Sequence, residues 1–521
     1  MPRNDPGVDS RHNPWPTGQA AEQPGLAAPG GHVLNVQDIG SRNVDVLPAN
    51  FQPQETHCMM GILGIVLSLL LLMYLAYRDV SVLVLAPLCA LLAVLFDGNL
   101  PVLATYTQIF MGSVGQFVRD YFPLFLLGAI FGKLMEDSGA AAKIAEIVVG
   151  AVGVHRTIMA VVLSCGILTY GGVSLFVVVF AVFPLSRSLF RQADIPRRLI
   201  PASIALGSFT FTMTAMPGTL QIQNLIPMPF FKTTPFAAPG LGIIGSLIML
   251  TLGMMWLNKR ARRAKQDGEG FGAVLPSDDV ATETAQKPPD AFSSFAPIII
   301  VLLLNFVFSK FVIPSWDASY LAEELFGKTD LNKVLGTWST ILSMVVALLI
   351  TIALHFRSLD KLKLSLATGA KASLLPIFNT ASEVGYGSTI KNLTGFAIVQ
   401  KFVTGIAPGN PLISESIAVN ALAGITGSAS GGLSIALKAL GDTYYQRGMA
   451  AGINPELLHR VASMSCGGLD SMPHNGAVIT LLLICGVTHR QGYKDVAVVS
   501  ILCPLVATAI VIAFGTMFGS F

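Results

Sequence analysis

The sequence predicts an all-α polytopic membrane protein built as an inverted repeat, with two re-entrant hairpins and two broken helices. Composition is the first reason. Of 521 residues, 52% are hydrophobic and only 12% are charged, with a mean hydropathy of +0.64. Soluble domains carry about 25% charged residues. The second reason is a phrase that occurs twice, Gly171-Gly172-Val173-Ser174 and Gly431-Gly432-Leu433-Ser434, each time inside a long apolar stretch. The third is the shared order of parts after each copy: an apolar arm, a short polar stretch, a proline (Pro196 or Pro455), and then a hydrophobic segment interrupted in its middle. Pro217-Gly218 interrupts the first segment, and Pro473 with Gly476 the second. Glycine loses the most backbone freedom in a helix, and proline removes a helical hydrogen bond. Interruptions in corresponding places of two halves are the sequence pointer to a transporter binding site.

The elements run in order along the chain. Residues 1–57 are rich in Pro, Gly, Asn, Gln and Asp without apolar periodicity, and read as a disordered tail with no secretory signal. A span needs roughly 20 apolar residues. Met59 to Tyr77 and Val80 to Phe96 are the first two. Residues 101–118 are only moderately apolar and suit an interfacial position. Tyr121 to Leu134 is another span, and Ala140 to Val154 is a short span or an interfacial helix. The first half, 58–258, then holds a hairpin over 157–190, a broken helix over 199–226 and a plain span over 237–257. A polar cytoplasmic loop over 259–292 separates it from the second half, 293–521. There, plain spans over 295–313 and 336–355 lead to a stretch over 372–406 that polar residues and glycines interrupt. A second hairpin over 412–441, a broken helix over 459–487 and a last span over 495–518 complete the chain.

Positive charge marks cytoplasmic loops. Lys259, Arg260, Arg262, Arg263 and Lys265 place the central loop inside. The same rule places Arg156, Arg187, Arg191, Arg197, Arg198, Arg357, Lys361, Lys363, Lys371, Arg490 and Lys494 inside. The loop with Asp317, Glu323, Glu324 and Asp330 falls outside. These clusters agree only if 157–190 enters and leaves from the cytoplasm and 412–441 from the outside. Arms of about 15 residues are too short to span singly. Inverted repeats, hairpins and broken spans together describe alternating access.

Irregular backbone at membrane depth must line a cavity or lie within protein. The polar residues gathered there are therefore candidate ligand contacts. In the first half they are Thr169, Tyr170, Gly171, Gly172 and Ser174 at the tip, and Thr210, Thr212, Thr214, Gly218, Thr219 and Gln221 around the break. In the second half they are Thr426, Ser428, Ser430, Gly431, Gly432 and Ser434 at the tip, and Asp470, Ser471, His474 and Asn475 around the break. The competing reading for each hydroxyl is a bond back to its own helix. Helix ends at the breaks offer free N–H groups that suit an anion. No lysine or arginine falls at a tip or break, which suits a small hydroxylated carboxylate. Ionisable residues inside a membrane are functional candidates. Asp470, Glu383 and His474 are the candidates for coupling to a proton, with Asp470 as carrier, Glu383 as the alternative, and His474 orienting Asp470 or touching the substrate. Glu383 lies in what reads as another glycine-punctuated break, and could instead pair with Lys391.

Several phrases of the second half resemble the gluconate permease (GntP) family of the ion-transporter superfamily. They are Ala381-Ser382-Glu383-Val384-Gly385-Tyr386-Gly387 with Ile390-Lys391-Asn392-Leu393, and Gly427-Ser428-Ala429-Ser430-Gly431-Gly432-Leu433-Ser434-Ile435-Ala436-Leu437. The most specific is Gly467-Gly468-Leu469-Asp470-Ser471-Met472-Pro473-His474-Asn475-Gly476-Ala477-Val478-Ile479-Thr480. The similarity runs over most of 58–518 and is strongest after 375. It implies an elevator-like arrangement of a scaffold and a mobile transport domain, often a homodimer, and proton-coupled uptake of sugar acids or small hydroxy acids in a bacterial inner membrane. The first hairpin departs from the gluconate branch, where an acidic residue follows a phenylalanine-rich turn. This chain has Thr169-Tyr170-Gly171-Gly172-Val173-Ser174-Leu175-Phe176.

The expectation is a secondary symporter for a small organic anion such as gluconate or a short hydroxycarboxylate. Its partners would be that carboxylate, a proton (alternatively Na⁺) and membrane lipid. A channel would need continuous pore-lining polarity. An enzyme is disfavoured because neither HExxH nor GxSxG occurs, and a primary pump because no GxxxxGK[ST] loop occurs. The net charge of +3 gives no reason to expect nucleic acid. Six scattered cysteines without a CxxC pair suggest neither a disulfide framework nor a metal site, and no cofactor is expected.

Overall fold

The computed structural model describes residues 55–521 apart from 77, 79, 154–155, 174, 273–288, 357–361 and 474. Most of the expected tail, Ser174 and His474 therefore lie outside the described residues, as do Arg357 and Lys361. Among the described residues the regular structure is entirely helical. Among the described residues, five helical runs are long and apolar enough to cross a membrane: Val102–Asp137, Pro239–Gln266, Ala291–Ser315, Leu331–His355 and His489–Phe518.

The same succession of parts is met twice. Two helices, Glu55–Ala76 and Val82–Asp97, lead to the long run Val102–Asp137 and a short helix, Ala140–Val152. The paired arms Thr157–Tyr170 and Leu175–Gln192 come next. An interrupted segment from Ile200–Ser208 to Met228–Phe231 and the long helix Pro239–Gln266 complete the first half. The second half begins with Ala291–Val307 and Leu331–His355, then Leu362–Lys391 and the short Phe396–Gly405. The paired arms Pro411–Thr426 and Ala429–Ala450 come after these, then the interrupted Pro455–Cys466 and Gly476–Ile484, then His489–Phe518. Corresponding parts make corresponding contacts. Each short helix packs on the first arm after it, and each first arm packs on the interrupted segment of its own half.

Leu362–Lys391 packs along Met111–Asp137 and against the arm Ala429–Ala450. At one end of the molecule, buried Asp495 accepts from Arg198 (3.0 Å), Arg260 (2.8 Å) and the Trp256 indole (2.9 Å). Arg198 also holds Glu269 at 2.7 Å. Other contacts close the far ends of the same helices. The Gly240 N–H donates to Phe521 O (2.8 Å), and the Asn410 amide to the Thr516 hydroxyl (2.8 Å).

Three sequence expectations need correction. Residues 101–118 do not form a separate interfacial element but open the single run Val102–Asp137. Ser113 and Phe117 are buried in the interior, and Gln116 and Asp120 line a cleft, so the low hydropathy reflects contact with protein and cleft. Nor does the glycine-rich stretch around Glu383 break, since Leu362–Lys391 is one helix of 30 residues. A Cβ on Gly385 would meet Phe110 and Val114 near 3 Å, and one on Gly387 would meet the Ile435 backbone at 3.1 Å. Those glycines allow close helix packing. Lys391 pairs with Asp442 at 3.5 Å. The basic run after Trp256 is helical to Gln266, as its Lys, Arg and Ala content favours.

Candidate functional site

Each hairpin tip is held by the break of its own half. In the first half, the Gln221 amide donates to Thr169 O at 2.7 Å and to Val173 O at 3.3 Å, and the Tyr170 hydroxyl donates to Pro217 O at 2.8 Å. Gly172, at φ +88°, makes the tip turn, and a Cβ there would meet Leu220. Gly171 lies against Ile298, which leaves no room for a side chain. In the second half, the Asn475 amide donates to Gly427 O at 2.9 Å and to Asp470 O at 3.1 Å. The Asn475 Oδ1 caps the half-helix Gly476–Ile484 by accepting from the Val478 N–H at 2.8 Å. Ser428 caps the arm Ala429–Ala450 by accepting from the Gly431 N–H at 3.0 Å.

The two breaks then meet each other. The Ser463 hydroxyl donates to Thr214 O at 2.7 Å, and a Cβ on Gly467 would strike the Thr214 methyl. Tip, break, break and tip thus form a continuous polar line through the interior. Between the halves, break stands against break.

Most of the threonines expected to face a ligand bond their own backbone. Thr210 donates to Leu206 O, Thr212 to Gly207 O, Thr214 to Thr210 O, Thr219 to Thr212 O and Thr426 to Leu422 O. Threonine hydroxyls at broken helix ends satisfy freed carbonyls in this way. The hydroxyls of Thr169 and Ser434 are buried without a partner among the described residues. Among the described residues, Ser430 meets only the Thr380 hydroxyl, at 3.4 Å. Gly218 is buried at φ +80° against Phe236, and Gly432 lies on the backbone of Leu422 and Ala423, where the arms cross closely.

The carboxylates occupy different settings. Asp470 is 4% exposed, and the Ser471 hydroxyl donates to its Oδ1 at 3.2 Å. Glu383 is 2% exposed, its carboxylate lies on Gly431, and its Oε2 has no partner among the described residues. It therefore sits over the first turn of Ala429–Ala450, where amide N–H groups favour negative charge. A cleft of about 150 Å³ runs from exposed Gln116, past Asp120, Tyr121 and Lys438, to Val384 and buried Ser434 beside it.

Two residues escaped the sequence reading. Arg460 is fully buried and donates into the first break, against the expectation that no arginine reaches one. Glu415, in the first arm of the second hairpin, is fully buried, and neither carboxyl oxygen has a partner among the described residues. A buried charge amid apolar neighbours was the available signal for both.

Comparison with known proteins agrees with this architecture. Residues 56–377 match the family model described as GntP family permease. That match stops short of the second-half phrases that carried most of the resemblance. The transporter YxjC of Bacillus subtilis is 45% identical over 458 residues, covering 85% of this chain and 96% of that protein. A transporter of Haemophilus influenzae is 25% identical over 203 residues, covering 39% of this chain and 45% of its own length. Among solved structures, the YdaH transporter of Alcanivorax borkumensis superposes with a TM-score of 0.51 at 15% identity, over 89% of this chain and 99% of its own. MtrF of Neisseria gonorrhoeae, described among antimetabolite efflux pumps, superposes with a TM-score of 0.50 at 13% identity, over 79% and 84%.

Proposed function

This chain belongs to the GntP family of permeases and is an integral membrane transporter rather than an enzyme; from that premise we propose that it is a proton-coupled symporter for a small hydroxylated carboxylate in a bacterial inner membrane. The observation that carries the reading is the polar line of two tips and two breaks, each tip tied to its break by a side-chain amide, Gln221 or Asn475. Inverted repeats place substrate sites where such half-helices meet. The paired arms are re-entrant hairpins, the first from the cytoplasm and the second from outside, and the two halves are inverted copies. The chain divides as the sequence suggests, with the loop between the halves in the cytoplasm.

The substrate carboxylate sits at the amide ends of the half-helices, among Thr169, Tyr170, Gly171, Gly172, Ser430, Gly431 and Asn475. The unpartnered Thr169 hydroxyl is free to donate to it. Glu383 and Asp470 are the candidate proton carriers, and the environment of Glu383 makes it the stronger. Movement of the second hairpin along Leu362–Lys391 takes the amide end of Ala429–Ala450 away from Glu383. The cost of a charge there then changes with the position of the hairpin, which links proton binding to movement. The cleft beside Val384 and Ser434 offers the proton a path.

Reconstitution in liposomes tests this. Counterflow of labelled gluconate and shorter hydroxy acids should occur without any gradient, and accumulation should follow an imposed ΔpH. Accumulation that follows Na⁺ and ignores ΔpH would replace the proton by Na⁺ in this scheme. Absence of counterflow with every hydroxy acid would reject the substrate class.

A further inference from the structure

Arg460 is fully buried and makes no ion pair among the described residues. Glu456, one turn earlier, instead accepts the Ala238 N–H at 3.1 Å. A guanidinium has five N–H donors, and here each has an oxygen. Nε donates to Ala237 O (3.1 Å), Nη1 to Thr214 O (3.3 Å) and Asn224 Oδ1 (3.0 Å), and Nη2 to Ala237 O (2.7 Å) and Pro235 O (3.5 Å). All the acceptors belong to the first half, while Arg460 belongs to the second.

The cage is built for the charge. Ala238 takes φ +42°, a left-handed conformation that is uncommon without a glycine. This turn lets the Ala237 carbonyl face Arg460 while the Ala238 N–H faces Glu456. Thr214 closes the wide turn Phe211–Ala215, where helical carbonyls carry partial negative charge. The Asn224 Oδ1 also meets the His459 ring at 3.3 Å. Converging backbone and amide oxygens at a helix break are the donor set that monovalent cations take in membrane transporters.

We propose that Arg460 is a tethered cation: its guanidinium fills an oxygen cage at the first break that would otherwise take a free monovalent cation. The first half of the site thereby holds a fixed positive charge beside Thr214 and needs no dissociable ion. Only the second half is left to carry a coupling ion, a consequence that rests on the symport reading above. The halves differ accordingly: five residues after Pro455 stands Arg460, and five after Pro196 stands Pro201, which has no charge to offer.

Thermal unfolding of the purified full chain in detergent tests the cage without reference to transport. In choline chloride, Arg460→Ala should melt well below the wild type. Millimolar guanidinium should restore at least half of that loss in a saturable way, Na⁺ or K⁺ less, and the wild type should not respond. Arg460→Lys keeps the charge as a point ammonium, and should melt between the two and respond weakly. If Arg460→Ala does not fold, Arg460→Lys alone is read against the wild type in the same titrations. Equal melting of the folded variants in all cations, or an equal guanidinium response in the wild type, overturns the proposal. If the symport reading fails, the failure appears in the uptake assay and leaves these melts unchanged.

Discussion

The Oε2 of Glu383 has no hydrogen-bond donor, and its carboxylate occupies the space that a Cβ on Gly431 would need. Both facts can be tested by substitution. Glu383→Gln removes the charge and keeps the shape, so uptake driven by ΔpH should fall at least tenfold while counterflow survives. Asp470→Asn is the matched control. If it abolishes ΔpH-driven accumulation and Glu383→Gln does not, the carrier is Asp470. Gly431→Ala overpacks the same spot, for which a cost of about 1–3 kcal/mol is expected. Shortening the neighbour in Gly431→Ala with Glu383→Asp should recover part of that stability, as read by thermal unfolding. Glu383 and Asp470 were legible because acids are rare at membrane depth. The back-bonding of Thr210, Thr212, Thr214 and Thr219 was not, because a hydroxyl beside a proline or glycine looks the same whether it faces a ligand or its own carbonyl. Thr214→Ala should consequently change uptake much less than Thr169→Ala, whose hydroxyl has no internal partner. Equal losses in both would mean that the threonines act alike.

At the scale of elements, the first tip turn and the two breaks were legible because they violate local helix grammar, while the second turn was placed a few residues too late. Gly171-Gly172 do end their arm, but Gly431-Gly432 lie inside the first turn of Ala429–Ala450, and the second tip turns four residues earlier at Gly427, whose φ is +62°. The continuous helix Leu362–Lys391 shows the limit of that grammar. Gly385 and Gly387 serve contacts with Phe110 and Ile435, which come from distant parts of the chain. Arg460 was hidden for the same reason, since its acceptors lie 223 to 246 positions away. The link between break and tip gives a further prediction. Asn475→Ala removes a cap and frees Gly427 O, and a lost cap costs about 1 kcal/mol. Amide hydrogen exchange should then quicken across 427–431 and 476–479, and hardly at all across 169–173. A uniform increase over both hairpins would show that the tips are not held separately.

Over the whole molecule, the cluster around Asp495 joins the start of the first interrupted segment, the end of Pro239–Gln266 and the last helical run. Asp495→Ala leaves two partly buried arginines short of their carboxylate, and breaking a buried pair costs about 3–5 kcal/mol. Glu269→Gln at the exposed rim should cost less than about 1 kcal/mol. The Arg198 guanidinium, by hydrogen bonding, holds the Glu269 carboxyl below its ordinary range. A carboxyl lowered on folding adds stability above its unfolded value, near 4.3, and loses it as the pH falls through the folded value. The contribution of Glu269 should therefore persist through neutral pH and fade only in acid. Melting curves of the wild type and Glu269→Gln should converge below about pH 4, and convergence already at neutral pH would mean that the pair contributes nothing.

That cluster also constrains the mechanics. Its three anchor points come from both copies of the repeated succession, and so do the two breaks, joined through Thr214, Ser463 and Arg460. A chain riveted across its repeats at an end and in the middle cannot open like a book along the line between them. The repeated succession offers two similar leaves, but in the transport cycle proposed above the sliding seam would run crosswise, taking part of each leaf into the carriage and leaving part in the frame.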